Sequence, residues 1–116
     1  MIEIRPIIWV GTSKEDLSAL PGQVKASLGL RLFELQLGKM PLDTKRLTQF
    51  GPGVYELREA FENNAYRVVY VLNLGRVLYV LHAFMKKSKS GIGLPKPDIK
   101  LIERRLRRAK QMAAEE

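Results

Sequence analysis

Cysteine is absent and histidine occurs once, at His82. The first absence excludes disulfides, thiolate nucleophiles and cysteine-held zinc or iron–sulfur sites. The second excludes a histidine-rich metal centre. No apolar run approaches the roughly 18–20 residues needed to span a bilayer, so no membrane partner is expected. The opening stretch MIEIRPIIWV is too short, and carries Glu3 and Arg5 too early, for a secretory signal. A cytoplasmic protein is the expectation. No P-loop or dinucleotide fingerprint occurs, and GIGLPKP lacks the strand–turn–helix setting in which glycines cradle phosphate. Neither a glycosidase-like carboxylate pair nor a Ser-His-Asp set stands out. No cofactor, small-molecule or metal, is expected.

What is abundant is positive charge. Twenty lysines and arginines against twelve acids give a net charge of +8 and a pI near 10, which points to a polyanionic partner. The plainer reading is a basic surface kept for solubility. The 116 residues, 46% hydrophobic and 28% charged, suit one globular domain spanning residues 1–116.

Glu3 to Val10 reads as a first strand that Pro6 demotes to an edge or splits. Thr12 and Glu15 have capping-box spacing, which predicts a short helix. Pro21 suits the first turn of a second helix, Gly22 to Leu37, with Gly38 as its stop. In that helix Val24, Leu28, Leu32 and Leu35 form one apolar stripe and Leu30, Phe33 and Leu37 another, implying burial on more than one side. Lys39 to Gly53, rich in proline and glycine, is expected to be loop. VYELREAF, AYRVVYVLNL and RVLYVLHAFMKK then read as an antiparallel meander with turns at 62–64 and 74–75. A last helix is expected from Asp98 to Ala114, after Pro97. The order β-α-α-β-β-β-α makes an α+β fold: an antiparallel sheet packed against an N-terminal helical hairpin, plus a C-terminal helix.

Alternation along strands sorts the sheet into faces. A two-residue loop at Leu74-Gly75 pairs Asn73 with Arg76 and sets Arg67 opposite His82. One face is then apolar or tyrosine-bearing, and the other collects Arg67, His82, Phe84 and Lys86. Such a cationic face suits RNA cleavage in which the ribose 2′-hydroxyl is the nucleophile. Arginines bind the phosphate bidentately, and a lysine among cations has a lowered pKa, which would make Lys86 or Lys87 a proton acceptor. His82 is the competing candidate. Each residue also has a plainer reading. A lone histidine in an apolar strand is more often a satisfied core residue; Arg58 and Arg67 could pair with Glu56, Glu59 or Glu62; Lys86, Lys87 and Lys89 could be a solvated strand exit. The four tyrosines read as core.

Several segments resemble the RelE/ParE/HigB toxin superfamily, in particular its phage-related HigB-like branch: IIWVGTSKEDLSALP, LTQFGPGVYELRE, YRVVYVL and LYVLHAFMKKSKSGIGLPKPDIKLIERRL. The run L-H-A-F-x-K-K-S-K followed by P-x-x-D-I-x-x-I-x-x-R is the most specific part. The resemblance implies a type II toxin with a cognate antitoxin bearing a helix-turn-helix domain. It further implies metal-free endoribonuclease activity on mRNA in the ribosome. Matched positions are Arg58 of YELR, Arg67 of YRVVY, and Lys86 and Lys87 after HAF; Lys45, Arg46, Phe84 and Lys89 would grip RNA. The chain departs from the best-known RelE pattern in having no tyrosine after the last strand, and it lacks the His-Asp-Tyr-His set of some HigB proteins. A ParE-like gyrase inhibitor and a non-catalytic nucleic-acid-binding phage-related protein are the alternatives.

Overall fold

A computed structural model describes residues 3–86 and 93–115. Its elements are β1 (Ile7–Trp9), α1 (Ser13–Ser18), α2 (Gly22–Gln36), β2 (Thr44–Arg46), β3 (Val54–Phe61), β4 (Asn64–Val71), β5 (Leu78–Lys86) and α3 (Lys96–Ala114). The α+β architecture is as expected, with one strand more. The five strands form a single sheet in the order β1-β5-β4-β3-β2. It is mixed: β1 runs parallel to β5, and the remaining pairs are antiparallel. The N-terminal strand can lie parallel because the whole meander intervenes before β5. Pro6 ends up as a flank, its carbonyl accepting from the Leu78 N–H at 2.9 Å.

Two apolar layers hold the sheet. On one side α1 and α2 place Leu17, Val24, Leu28, Leu32 and Leu35 against Leu57, Val68, Tyr70, Leu78 and Val80. On the other, Ile102, Leu106 and Ala109 of α3 cover Val69, Val71, Tyr79 and Leu81. Tyr55 stacks on Tyr70 with ring centroids 5.7 Å apart, on the α2 side, so these tyrosines are packing residues. The β3–β4 hairpin turns on Glu62 and Asn63, both at positive φ (48° and 65°), as a two-residue loop of type I′ requires.

Three local expectations change. The segment 39–53 contains β2 and a 3-10 turn at Thr48–Phe50; three residues are too few to show a period of two. Thr12 precedes α1 without capping it. Its hydroxyl instead donates to Asp16 at 3.0 Å and accepts from Arg105 of α3 at 2.8 Å. The β4–β5 register also differs. Val71 pairs with Tyr79 and Tyr70 with Val80, but Val69 pairs with His82, which leaves Leu81 as a bulge. Arg67 therefore lies opposite Phe84, and not His82. The turn is one residue longer than expected, and the bulge adds a second offset of one. Beyond it the two offsets restore the expected facing of His82, Phe84 and Lys86. Before it, Tyr79 shares their face while Leu78 and Val80 lie on the α2 side. Arg105 closes the defect by donating to the Leu81 carbonyl at 2.8 Å.

Candidate nucleic-acid interface

Helix α3 covers the half of its face nearest the β4–β5 turn. The other half, where β5 ends, carries the charge. Arg58 stands opposite Arg67, Lys45 opposite Glu56, and Lys86 opposite Ala65, two residues along β4 from Arg67. Alternation puts Lys45, Glu56, Arg58, Arg67, Phe84 and Lys86 on this one face. Four different strands thus supply one cation each to one surface. Directly opposed like charges such as Arg58 and Arg67 destabilise a ladder, so something must offset them.

Glu56 is that offset. It is 4% exposed and Arg67 6%, and their side chains pair at 3.4 Å through Arg67 Nη1 and Glu56 Oε1. The guanidinium is only partly used: Arg67 Nε is buried without a partner. From the sequence, Glu56 stands out only as a possible ion-pair partner; the structure buries it at the centre of the cationic face. Its signal was present in alternation, since Glu56 and Arg58 are two apart on one strand. Arg58 is exposed and its side chain makes no ion pair among the described residues.

Burial pushes the Lys86 ammonium below its ordinary pKa; Arg67, Lys45 and Arg58 act in the same direction, against Glu56. The lysine is half-buried, and this environment favours its neutral form more than water does. A neutral amine is a base.

His82 belongs to a different arrangement. It is 8% exposed, its ring stacks on Phe84 at 4.4 Å, and its Nε2 meets Asp98 Oδ1 at 2.8 Å. Burial lowers its pKa, while the hydrogen bond to Asp98 and that carboxylate's charge pull it upward. The histidine thus ties β5 to the first turn of α3, and Phe84 is its stacking partner. Of the other expected RNA contacts, Lys45 joins the cationic face, whereas Arg46 pairs with Tyr55 and so points to the α2 side. Lys87 and Lys89 lie outside the described residues.

Helix α2 fixes β3 where Arg58 emerges. Arg31 pairs with Glu59 at 3.1 Å and donates to the Arg58 carbonyl at 2.8 Å and the Leu42 carbonyl at 2.6 Å. Ser27 also donates to Glu59, at 2.8 Å. Among the described residues, no group of three or more His, Asp or Glu side chains could hold a metal ion, and no helix is long and apolar enough to cross a membrane.

No curated protein matches the sequence significantly. Among solved structures, the chain is similar to a toxin–antitoxin complex, RelBE2 of Mycobacterium tuberculosis. The TM-score is 0.53 at 18% identity, covering 72% of this chain and 99% of the other. At that identity the likeness speaks for a shared RelE-like fold. Residues 15–107 match the family described as phage-derived protein Gp49-like, a span that holds the cationic face, His82 and most of α3. The chain therefore belongs to the Gp49-like family of phage-derived proteins.

Proposed function

We propose that this protein is the toxin of a toxin–antitoxin module and cleaves mRNA on the ribosome by transesterification. The observation that carries the reading is the convergence of Lys45, Arg58, Arg67 and Lys86 on the half of the sheet face that α3 leaves uncovered. Arg58 and the unspent edge of Arg67 hold the scissile phosphate, where charge develops in the transition state. Neutral Lys86 takes the proton from the ribose 2′-hydroxyl. The 2′-oxygen bonds to phosphorus, the P–O5′ bond breaks, and the departing 5′-oxygen receives a proton from an ammonium, a role we give to Lys87, the next residue in the sequence. The products are a cyclic 2′,3′-phosphate and a free 5′-hydroxyl. Glu56 holds Arg67 in place without touching the RNA. The partner is an antitoxin with a helix-turn-helix domain.

Primer extension on a reporter mRNA in a translating extract tests this. New 5′ ends inside codons are expected with the wild type and not with Arg67→Ala/Lys86→Ala. Identical message patterns for the two proteins overturn the reading. Inhibition of gyrase supercoiling with intact message would instead identify a ParE-like toxin. For the lysine, the cleavage rate should rise with pH to a midpoint below the ordinary lysine value of 10.5, because the base works deprotonated. Lys86→Arg should abolish that rise.

A further inference from the structure

Helix α2 is apolar on two sides, and only one of them is covered. Val24, Leu28, Leu32 and Leu35 face the sheet. On the opposite side Leu30 is 63% and Phe33 45% exposed. At ~100° per residue, Gly22, Ala26, Gly29, Leu30, Phe33 and Leu37 fall within a sector of about 100° that holds no charged residue. A helix that is hydrophobic all round is normally buried all round.

The order of residues along this sector says what could bury it. Small side chains occupy the first half and large ones the second, mirrored about a point between Gly29 and Leu30. Laid antiparallel on an identical helix about that point, Gly22 meets Leu37, Ala26 meets Phe33, and Gly29 meets Leu30. Every large side chain finds a small one. The space beside Gly22 and Gly29 is open, with nothing within 4 Å of where a Cβ would sit. Such self-complementarity is what a two-fold, isologous contact demands: residue i meets j while j meets i.

We infer that the outer face of α2 is a homodimer interface, in which two copies pack their α2 helices antiparallel about a two-fold axis near Gly29-Leu30. The inference does not depend on the proposed RNA cleavage. Because α2 lies on the side of the sheet opposite the cationic face, the dimer leaves both cationic faces open. A 15-residue helix spans about 22 Å, so the contact is smaller than the ~800 Å² per partner of a standard interface. The dimer should therefore form in the micromolar range.

Sedimentation velocity of the purified chain from about 1 to 200 μM should show monomer converting to dimer, whereas Phe33→Glu, a change at an exposed site, should weaken association roughly 100-fold or more, as loss of an interface anchor does. The register is tested separately. The native chain has no cysteine, so single-cysteine variants report cleanly. Leu30→Cys sits beside the dyad and should be joined to its copy by a short bis-maleimide. Gln23→Cys, about 20 Å from its copy in this register, should not. A chain that stays monomeric across the range, or equal cross-linking at both positions, overturns the inference. So does a monomer whose Leu30→Cys thiol is shielded only when an antitoxin is bound, which would assign the face to that partner.

Discussion

Replacing Glu56 with leucine takes away the carboxylate that sits among Lys45, Arg58, Arg67 and Lys86. Removing one member of a buried pair costs about 3–5 kcal/mol, because a charge is stranded. The single 3.4 Å contact and the open side of the face put this case at the low end, near 3 kcal/mol. With an unfolding entropy of about 2.1 cal/mol/K per residue, roughly 0.24 kcal/mol/K for this chain, that is a fall of about 12 °C in Tm. Arg67→Met should cost about half as much, ~1.5 kcal/mol or ~6 °C, because Glu56 keeps three cations around it. The double variant should be more stable than Glu56→Leu alone, the sign of coupling between the two sites. At 1 M salt the Debye length is near 3 Å, so the loss in Glu56→Leu should shrink while that in Arg67→Met changes little. Thermal denaturation followed by circular dichroism reads all four proteins. If Arg67→Met lowers Tm as far as Glu56→Leu, Glu56 is not the neutralising centre of this face and the electrostatic reasoning fails.

Three further outcomes are expected. Burial holds the His82 imidazole below its ordinary 6.5, so the unfolded chain takes up the proton first. Its contribution to stability is complete above about pH 6.5 and drains as pH falls toward the lower folded value; urea midpoints between pH 7.5 and 5 should fall less steeply for His82→Gln, and equal slopes would count against a buried neutral histidine. Glu62 occupies the first positive-φ position of a type I′ turn, so Glu62→Asn should stabilise the protein by roughly 0.5–1 kcal/mol, about 2–4 °C by calorimetry; a lower Tm would show that the turn is held by more than its own backbone. Gly11 lies at φ +60°, where a Cβ would meet Arg105 Nε at 2.7 Å. Gly11→Ala should therefore destabilise by about 1–3 kcal/mol in urea denaturation, through strain and a displaced Arg105; an unchanged midpoint would mean that Arg105 shifts freely.

Much of this was legible in the sequence, because strands β3, β4 and β5 carry strong β-formers between clear turn residues and α3 carries a clean apolar stripe. The grouping of Arg67 with Phe84 and Lys86 came from the alternation of side chains and survived two errors in pairing that compensate beyond the bulge. The bulge itself could not be read: Leu78 to Phe84 is apolar at every position except His82, so periodicity leaves no trace of an inserted residue. Strand β2 is too short to declare itself, and Arg46 was accordingly placed with Lys45 although neighbours on a strand face opposite ways. Alternation puts Glu56 on the face of Arg58 and Glu59 on the other, but nothing in VYELRE says that the Glu56 carboxylate is buried against Arg67 of the next strand. The second stripe of α2 was visible as a pattern. What covers it was not, because a partner's contribution is written in another chain or in a copy of this one.

The inserted residue at Leu81 acts as a parity device. Were β5 to continue from the Tyr70–Val80 pair as a regular ladder, Val69 would meet Leu81 and Arg67 would meet Ala83; Phe84 and Lys86 would be driven beneath α2, and Met85 would come out onto the cationic side. By absorbing one residue, the bulge turns the end of the strand back. Losing a single residue between Tyr79 and Leu81 would close the bulge and keep Val69 opposite His82, whereas gaining one without a second bulge would erase the charged surface without shortening the sheet.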